Sequence, residues 1–490
     1  MKRCTILLVA VLLLGMGACA KAKVLPVDLI KVAVPAYPAS LVPTRLEGDT
    51  ARFVQTQLFE TLYTQSNSIF KPLLAQALPV FDAGGIRCVI KIAPGIPFHD
   101  GSIFSVQDAV YSINHLIEAK STPMTLSIKS AVVVDDTSFA INLNYPDGEL
   151  KTKLAHPMFA MIKADSDADA KLEKSPNGTG PYKFVSADGK NNVVLTRFDN
   201  YHGDKALTKD VQFAVYADIN NALTALRDKQ VNLVTDVPLN AKKTVEGLKG
   251  FSWFTGQTSA TVYLGIRNQS MLNSKLETSA FRKAVMSSID RSALASDLDA
   301  NVMVSLYGMN VFGYDEQPPS FINGASITGY ADQAITLVSP VFPVDFDVAA
   351  AVSSRLKQSG FTNLTNEALA QDKFQAAVAT AKRFDLMIFV WQYDLMDGGN
   401  FIDALFGADS VNPLRVRNTD LDSLILTANR TDDSAIRRAA LDEIERILIA
   451  DGTLLPLTSV MNYVAAGEKI KEISLLPDAT INLGKIVLAK

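Results

Sequence analysis

Between Phe53 and Leu116 the chain leaves little choice about its local structure. Phe53 to Phe81 reads FVQTQLFETLYTQSNSIFKPLLAQALPVF, and Pro97 to Leu116 reads PFHDGSIFSVQDAVYSINHL. Val54, Leu58 and Leu62 recur at every fourth position with Phe59 beside them, so the spacing predicts a helix with one buried stripe from about Thr50 to Tyr63. Pro72 and Pro79 then punctuate a turn region. Cys88 to Ile92 reads as a strand, and a turn at His99, Asp100 and Gly101 feeds a second helix. Ser105 with Asp108 three residues on makes a capping-box pattern, followed by Val106, Ala109, Val110, Ile113 and Ile117 on one face. An ordered domain follows from these local rules alone.

Beyond this stretch, strand and helix patterns keep alternating. Leu29 to Val34 is a short strand, and Ala131 to Leu143 reads as two strands about a polar turn at Asp135 to Ser138, with Phe139, Ile141 and Leu143 alternating. GTGPYKF at Gly178 to Phe184 predicts a tight turn, allowed by Gly178 and Gly180, with Tyr182 packed beneath it. A helix from Asn220 to Lys229 turns Ala222, Leu223 and Leu226 inward. Ala280 to Ala295 reads as two helices, with Phe281, Ala284, Val285 and Ser288 on one face while Arg282 and Lys283 point away. From Val344 a helical pattern is stopped by Gly360 and resumes in Asn366 to Thr380, before the apolar strand Phe384 to Trp391. Asp432 to Gly452 predicts a long amphipathic helix. This order is that of α/β lobes.

The chain of 490 residues suggests two or three domains, and 48% hydrophobic residues supply ample cores. With 47 basic and 51 acidic side chains and no long run of Lys or Arg, nucleic acid is not an expected partner. Residues 1–18 have a basic start and an apolar run from Ile6 to Leu14, too short to span ~30 Å of hydrocarbon comfortably, which is the pattern of a secretory signal. Met16, Gly17, Ala18 and Cys19 resemble a bacterial lipobox, with Met16 where Leu is usual. Cleavage before Cys19 and acylation of its sulfur would anchor the protein to a membrane; an ordinary signal peptide cut nearby, or an uncleaved anchor, are the alternatives. Of Cys4, Cys19 and Cys88, an acylated mature chain keeps only Cys88, which reads as a small hydrophobe in its strand.

In this order, the motifs resemble the peptide-binding extracellular solute-binding proteins, family 5, of bacterial ABC importers. The resemblance rests on the two stretches between Phe53 and Leu116, on GTGPYKF and the YHGD that follows at Tyr201, on AFRKAVMSSIDRSALA from Ala280, and on WQYDLMDGGNFIDALF from Trp391 to Phe406. It implies an α/β fold of the periplasmic-binding-protein type, with two lobes joined by a hinge of two crossing strands around a ligand cleft. An extra subdomain belongs to the first lobe. Residues 19–50, 176–260 and 465–490 are expected in the first lobe, 51–175 in the extra subdomain, and 261–464 in the second lobe.

What the resemblance implies about function is capture. The chain would be an exported, monomeric lipoprotein that binds short peptides and delivers them to permease subunits driven by cytoplasmic ATPases. The same scaffold holding a metal chelate, haem or sugar, or binding another protein, is the alternative. No cofactor and no catalysis are implied. The sequence has no G-x-S-x-G elbow, H-E-x-x-H motif or phosphate loop, and His99, His115, His156 and His202 fall in four separate contexts rather than a metal-ligand cluster.

In peptide-binding members, the Asp three residues after the Trp of the last motif pairs with the ligand's α-ammonium, which here falls on Asp394. A buried ammonium must be paired, and a carboxylate at a strand end can do it with a charge-assisted hydrogen bond. Trp391 and Tyr393 would flank the ligand, and the main chain at Gln392 could pair with an extended peptide. Asp394 as a solvated carboxylate or as a cap of the helix ahead of Phe401, and Trp391 as a core aromatic, are the competing readings. Asp397 reads as part of a structural turn. Arg355, Lys382 and Arg383 are near in sequence, but no motif picks one of them for the ligand's carboxylate.

Overall fold

The computed structural model describes residues 27–66, 69–165, 168–270, 273–318, 320–321, 324–342, 346–380 and 384–488. The expected leader with Cys4 and Cys19 lies outside them, as do Lys382 and Arg383. No helix among the described residues is long and apolar enough to cross a membrane.

One ten-stranded sheet runs through the molecule. Its order is Leu364–Leu369, Ile335–Pro340, Leu386–Trp391, Ser252–Ile266, Leu454–Ala466, Leu233–Val234, Val27–Val34, Thr208–Val215, Asn192–Arg197 and Tyr182–Ala187. Ser252–Ile266 and Leu454–Ala466 are its longest strands, at 15 and 13 residues, and they pair antiparallel with each other. Their register is regular from Ser252 to Gln257, shifts between Gln257 and Thr261 and again before Tyr263, and then continues to Gly265. Such irregularities bend a strand pair, and here they separate a first lobe from a second. The two lobes are therefore joined by two crossing strands.

Each lobe buries both faces of its part of the sheet. In the second lobe the period of two is plain: Val262, Leu264 and Ile388 enter one core, while Tyr263, Met387 and Phe389 enter the other. In the first lobe Val32, Tyr182, Val211 and Phe213 face one core, and Ala222, Leu226 and Val234 form the core on the other side. A separate core draws on residues from Leu62 to Met161. It packs the helix Val106–Ala119 on a four-stranded sheet of Val80–Phe81, Arg87–Lys91, Ser138–Leu143 and Ile128–Asp135. This is the extra subdomain. Its helix starts with the capping box: Ser105 accepts from the Asp108 amide, and Asp108 accepts from the Ser105 amide. Cys88 is fully buried in this sheet, which pushes its thiol up to about 12.

Three expectations are corrected. The first helix covers Asp49–Leu58 and stops short of Tyr63, which begins the strand Tyr63–Ser66. Its end is fixed from outside. The Leu58 carbonyl accepts from the Gly180 amide at 3.0 Å, and a Cβ on Gly178 would lie 2.0 Å from the same oxygen. These glycines permit a close approach of backbone to backbone, and neither adopts a left-handed conformation. Tyr182 does pack beneath them, fully buried, with its hydroxyl donating to the Thr208 carbonyl. His99 closes the same knot, because its Nδ1 accepts from the Gly178 amide and its Nε2 lies 3.0 Å from the Gly180 carbonyl oxygen.

The second correction is Leu364–Leu369, a strand at the sheet edge where the pattern favoured helix; the following helix is Gln371–Thr380. Of these six residues only Leu364 is buried, so the edge leaves no alternating pattern to read. The third is Arg282, which is 4% exposed rather than turned to solvent. Its guanidinium binds the Asp451 carboxylate at 2.6 Å and the Glu277 carbonyl at 3.0 Å, so its burial is paired.

Candidate functional site

The strand Leu386–Trp391 pairs antiparallel with the first crossing strand, placing Trp391 opposite Thr261. The chain then leaves the sheet as a loop and enters the helix Gly398–Phe406. Gln392 and Asp394 are exposed on this loop, whereas Tyr393 and Asp397 are buried. Tyr393 is fixed through its hydroxyl, 3.0 Å from the Tyr263 hydroxyl and 3.2 Å from the Gly308 amide that donates to it. The ring can lie this close because Gly308 has no side chain; a Cβ there would be 2.8 Å from the Tyr393 ring.

Two cavities of about 520 Å³ each meet at this loop. The first lies against the crossing strands and is walled by Asp236 to Leu239, Thr258 to Ala260 and Val460 to Tyr463, together with Gln392, Tyr393 and Asp394. The second reaches toward the extra subdomain, with Gln55, Glu60, Gln65 and His156 in its wall. Arg52, Asp394, Pro477 and Asp478 line both. Gln392, Tyr393 and Asp394 thus line one cavity together. Trp391 does not line either cavity. It packs on Phe401 at 5.2 Å between ring centroids and supports Tyr393 edge-on from the core side, the reading of a core aromatic.

Asp394 is held in place across the cleft. Its Oδ1 accepts from Arg52 at 2.5 Å and from His156 at 3.2 Å, and its side chain stays 57% exposed. Both partners come from the other side of the cleft: Arg52 from the helix Asp49–Leu58, and His156 from the extra subdomain. The Met158 amide donates to His156 Nδ1, which leaves Nε2 as the protonated nitrogen facing Asp394. Burial lowers the pKa of His156 despite its carboxylate neighbour. The His156 hydrogen bond and the Arg52 charge hold Asp394 well below the usual carboxylate range. The site therefore offers an ionised carboxylate that lines both cavities and whose bonds to Arg52 and His156 both fall on one oxygen.

Asp397 has a different task. Its Oδ1 accepts from Arg437 at 2.8 Å and from the Gly399 amide at 2.9 Å, capping the helix Gly398–Phe406, and its Oδ2 accepts from Thr152 at 3.1 Å. The helix cap is therefore Asp397, not Asp394. Gln65 adds a hydrogen bond to the Met396 carbonyl at 2.7 Å. The extra subdomain thus reaches over to hold the loop.

Sequence reasoning missed Arg52 and His156, which lie 342 and 238 residues from Asp394. Arg355, one of the candidates near in sequence, pairs with Asp297 instead and lines neither cavity. Among the described residues no group of three or more His, Cys, Asp or Glu side chains could hold a metal ion.

Two α/β lobes on a shared sheet, with a cleft at the crossing strands, make the architecture of a two-lobed binding protein. The chain belongs to the bacterial extracellular solute-binding proteins, family 5, whose middle-region model matches residues 70–413. It is similar to the oligopeptide-binding protein AppA of Bacillus subtilis, with 24% identity over 265 residues, 51% of this chain and 48% of that one. It is also similar to the nickel-binding protein NikA of Staphylococcus aureus, with 26% identity over 213 residues, 43% of this chain and 41% of that one. These matches span about half or less of the relatives' length. Among solved structures, the substrate-binding protein CtaP of an ABC transporter from Listeria monocytogenes superposes with a TM-score of 0.81 at 18% identity, covering 95% of this chain and 100% of that one. The unliganded open form of the periplasmic murein tripeptide-binding protein MppA also reaches 0.81, at 17% identity over 95% of this chain and 98% of that one. These likenesses bear on the fold.

Proposed function

We propose that this protein is the substrate-binding component of an ABC importer, that it captures short peptides in the cleft beside Asp394, and that it delivers them to membrane permease subunits driven by cytoplasmic ATPases. The carrying observation is Asp394 itself, an ionised and half-open carboxylate at the end of a strand where two cavities meet. A peptide's α-ammonium has the charge and donors for the free oxygen, and the exposed Gln392 offers main chain for an extended ligand. Tyr393, held by Tyr263 and Gly308, forms a rigid wall beside it. The similarity to a protein named for binding oligopeptides agrees with this reading, and lipid attachment at Cys19 would keep the receptor at the membrane outside the cytoplasm. Ligand binding favours a closed state only by its greater affinity for closed than for open lobes.

The test is native mass spectrometry of the soluble form lacking residues 1–19, followed by denaturation and identification of what is released. A ladder of short peptides is the expected result. A single metal chelate, haem or sugar would keep the receptor and change its cargo. A protein that stays empty when offered peptides would contradict the proposal.

A further inference from the structure

We propose that the extra subdomain is the latch of the cleft: its segment from Tyr145 to Thr152 docks on the second lobe and holds the lobes closed over the ligand. This rests on the two-lobed receptor reading above, but not on the cargo being a peptide. Through the His99 bonds to Gly178 and Gly180 the subdomain is fixed to the first lobe. Its partner in the latch is the corner of the second lobe where the helix Thr419–Arg430 gives way to Ser434–Asp451. The lobes are thus joined twice, covalently through the crossing strands and non-covalently here. A swing about the crossing strands keeps the first junction and breaks the second.

The contact is built by fit as much as by charge. Gly148 is pressed against the corner: its amide donates to the Asn429 carbonyl at 2.9 Å. A Cβ there would lie 2.6 Å from the Ala428 carbonyl oxygen and from Arg437 Nε, and 2.7 Å from the Thr431 carbonyl oxygen. Gly148 is not left-handed, so close approach rather than backbone conformation calls for glycine. On one side of it the Arg430 guanidinium stacks on Tyr145, 3.7 Å from the ring centroid. On the other, Lys151 donates to the Asp432 carbonyl at 3.2 Å and to the Ser434 hydroxyl at 2.8 Å. Thr152 donates to the same Asp397 carboxylate that Arg437 holds.

Placement gives the contact its task. Thr152 and Gln65 both line the second cavity, as does Met396, whose carbonyl accepts from Gln65. The docked subdomain therefore backs the cavity that reaches toward it, while the crossing strands back the other. Bonds from neutral donors and one partly exposed cation–π pair are each modest. Several together bias an equilibrium between two lobe arrangements without freezing it.

The test is small-angle X-ray scattering of the chain lacking residues 1–19, stripped of co-purified ligand, beside Gly148→Val and the Tyr145→Ala, Lys151→Ala double variant. Both variants are expected to show a larger radius of gyration than wild type with an unchanged circular dichroism spectrum, Gly148→Val the more so. In calorimetric titration with Ala-Ala-Ala they should bind about tenfold or more weakly than wild type, because a smaller fraction of the protein is closed. The double variant only truncates side chains at the rim of the contact, so it decides the matter if Gly148→Val folds poorly. Variants with the radius of gyration of wild type would overturn the latch and leave the receptor intact. A wild type that binds no peptide would overturn the proposed cargo, and the scattering comparison, which uses no ligand, would still decide the latch.

Discussion

Asp394 and Asp397 stand three residues apart on one loop and occupy opposite surroundings. Asp394 has a 57% exposed side chain and reaches across an open cleft to Arg52 and His156. Asp397 has no exposure at all and is enclosed by Arg437, Thr152 and the start of the next helix. A fully desolvated carboxylate is bound so completely that nothing remains for a ligand. A carboxylate held by one oxygen at a cavity wall is positioned and still available. The short motif thus holds together an anchor and the half-open carboxylate we propose for recognition, and burial rather than residue type separates the two.

The largest effect should come from breaking the anchor. Arg437→Ala leaves Asp397 buried without its cation and should cost about 3–5 kcal/mol of stability, read as a lower denaturant midpoint. Asp394→Ala should instead leave unfolding within about 1 kcal/mol of wild type, because the carboxylate removed is itself more than half exposed. Its cost should fall on ligand binding, about 2–5 kcal/mol for a peptide with a free amine. If the two variants exchanged these signatures, the assignment of roles would be reversed.

Glu445 sharpens the comparison, being buried like Asp397 but with no basic partner among the described residues. It accepts hydrogen bonds from the Leu306 amide and the Ser305 hydroxyl, and burial pushes its pKa up to about 7. The folded protein therefore holds a proton here that the unfolded chain releases at an ordinary glutamate pKa near ~4.3. The contribution is full below that value and is lost as pH rises through about 7. Glu445→Gln should flatten the decline in melting temperature between about pH 5 and pH 8 and stabilise the protein at the upper end, by on the order of 1 kcal/mol. An unchanged profile would show that Glu445 ionises freely. The smallest effect is expected for Arg52→Gln, which should change stability by at most about 1 kcal/mol. By uncovering Asp394 it should strengthen, not weaken, the binding of a free-amine peptide in the same calorimetric assay.

Much of this fold was legible in the sequence because the elements obey local rules. The capping box at Ser105 and Asp108 sets the start of Val106–Ala119, and Gly452, left-handed at the end of Ser434–Asp451, sets a stop. Local rules failed where distant backbone intervened. The helix Asp49–Leu58 ends where the Gly178 to Gly180 segment arrives, and Leu364–Leu369 is extended because it pairs with Ile335–Pro340 despite helix-favouring residues. The site divides in the same way. Gln392, Tyr393 and Asp394 could be picked out from one motif, and the cleft brings them together. Arg52 could not, since nothing in its own helix marks an arginine that will meet a carboxylate on the other lobe. Trp391 was ambiguous for a related reason: an aromatic at a strand end can face core or cavity, and only packing on Phe401 decides it.

The central claim is that Asp394 receives a ligand ammonium, and the most direct measurement is calorimetric titration of wild type and Asp394→Ala with one peptide in free and N-acetylated forms. The account predicts that wild type strongly prefers the free amine and that the variant binds both forms with similar, weak affinity. A wild-type protein that binds both forms equally, matched by an unaltered variant, would contradict it.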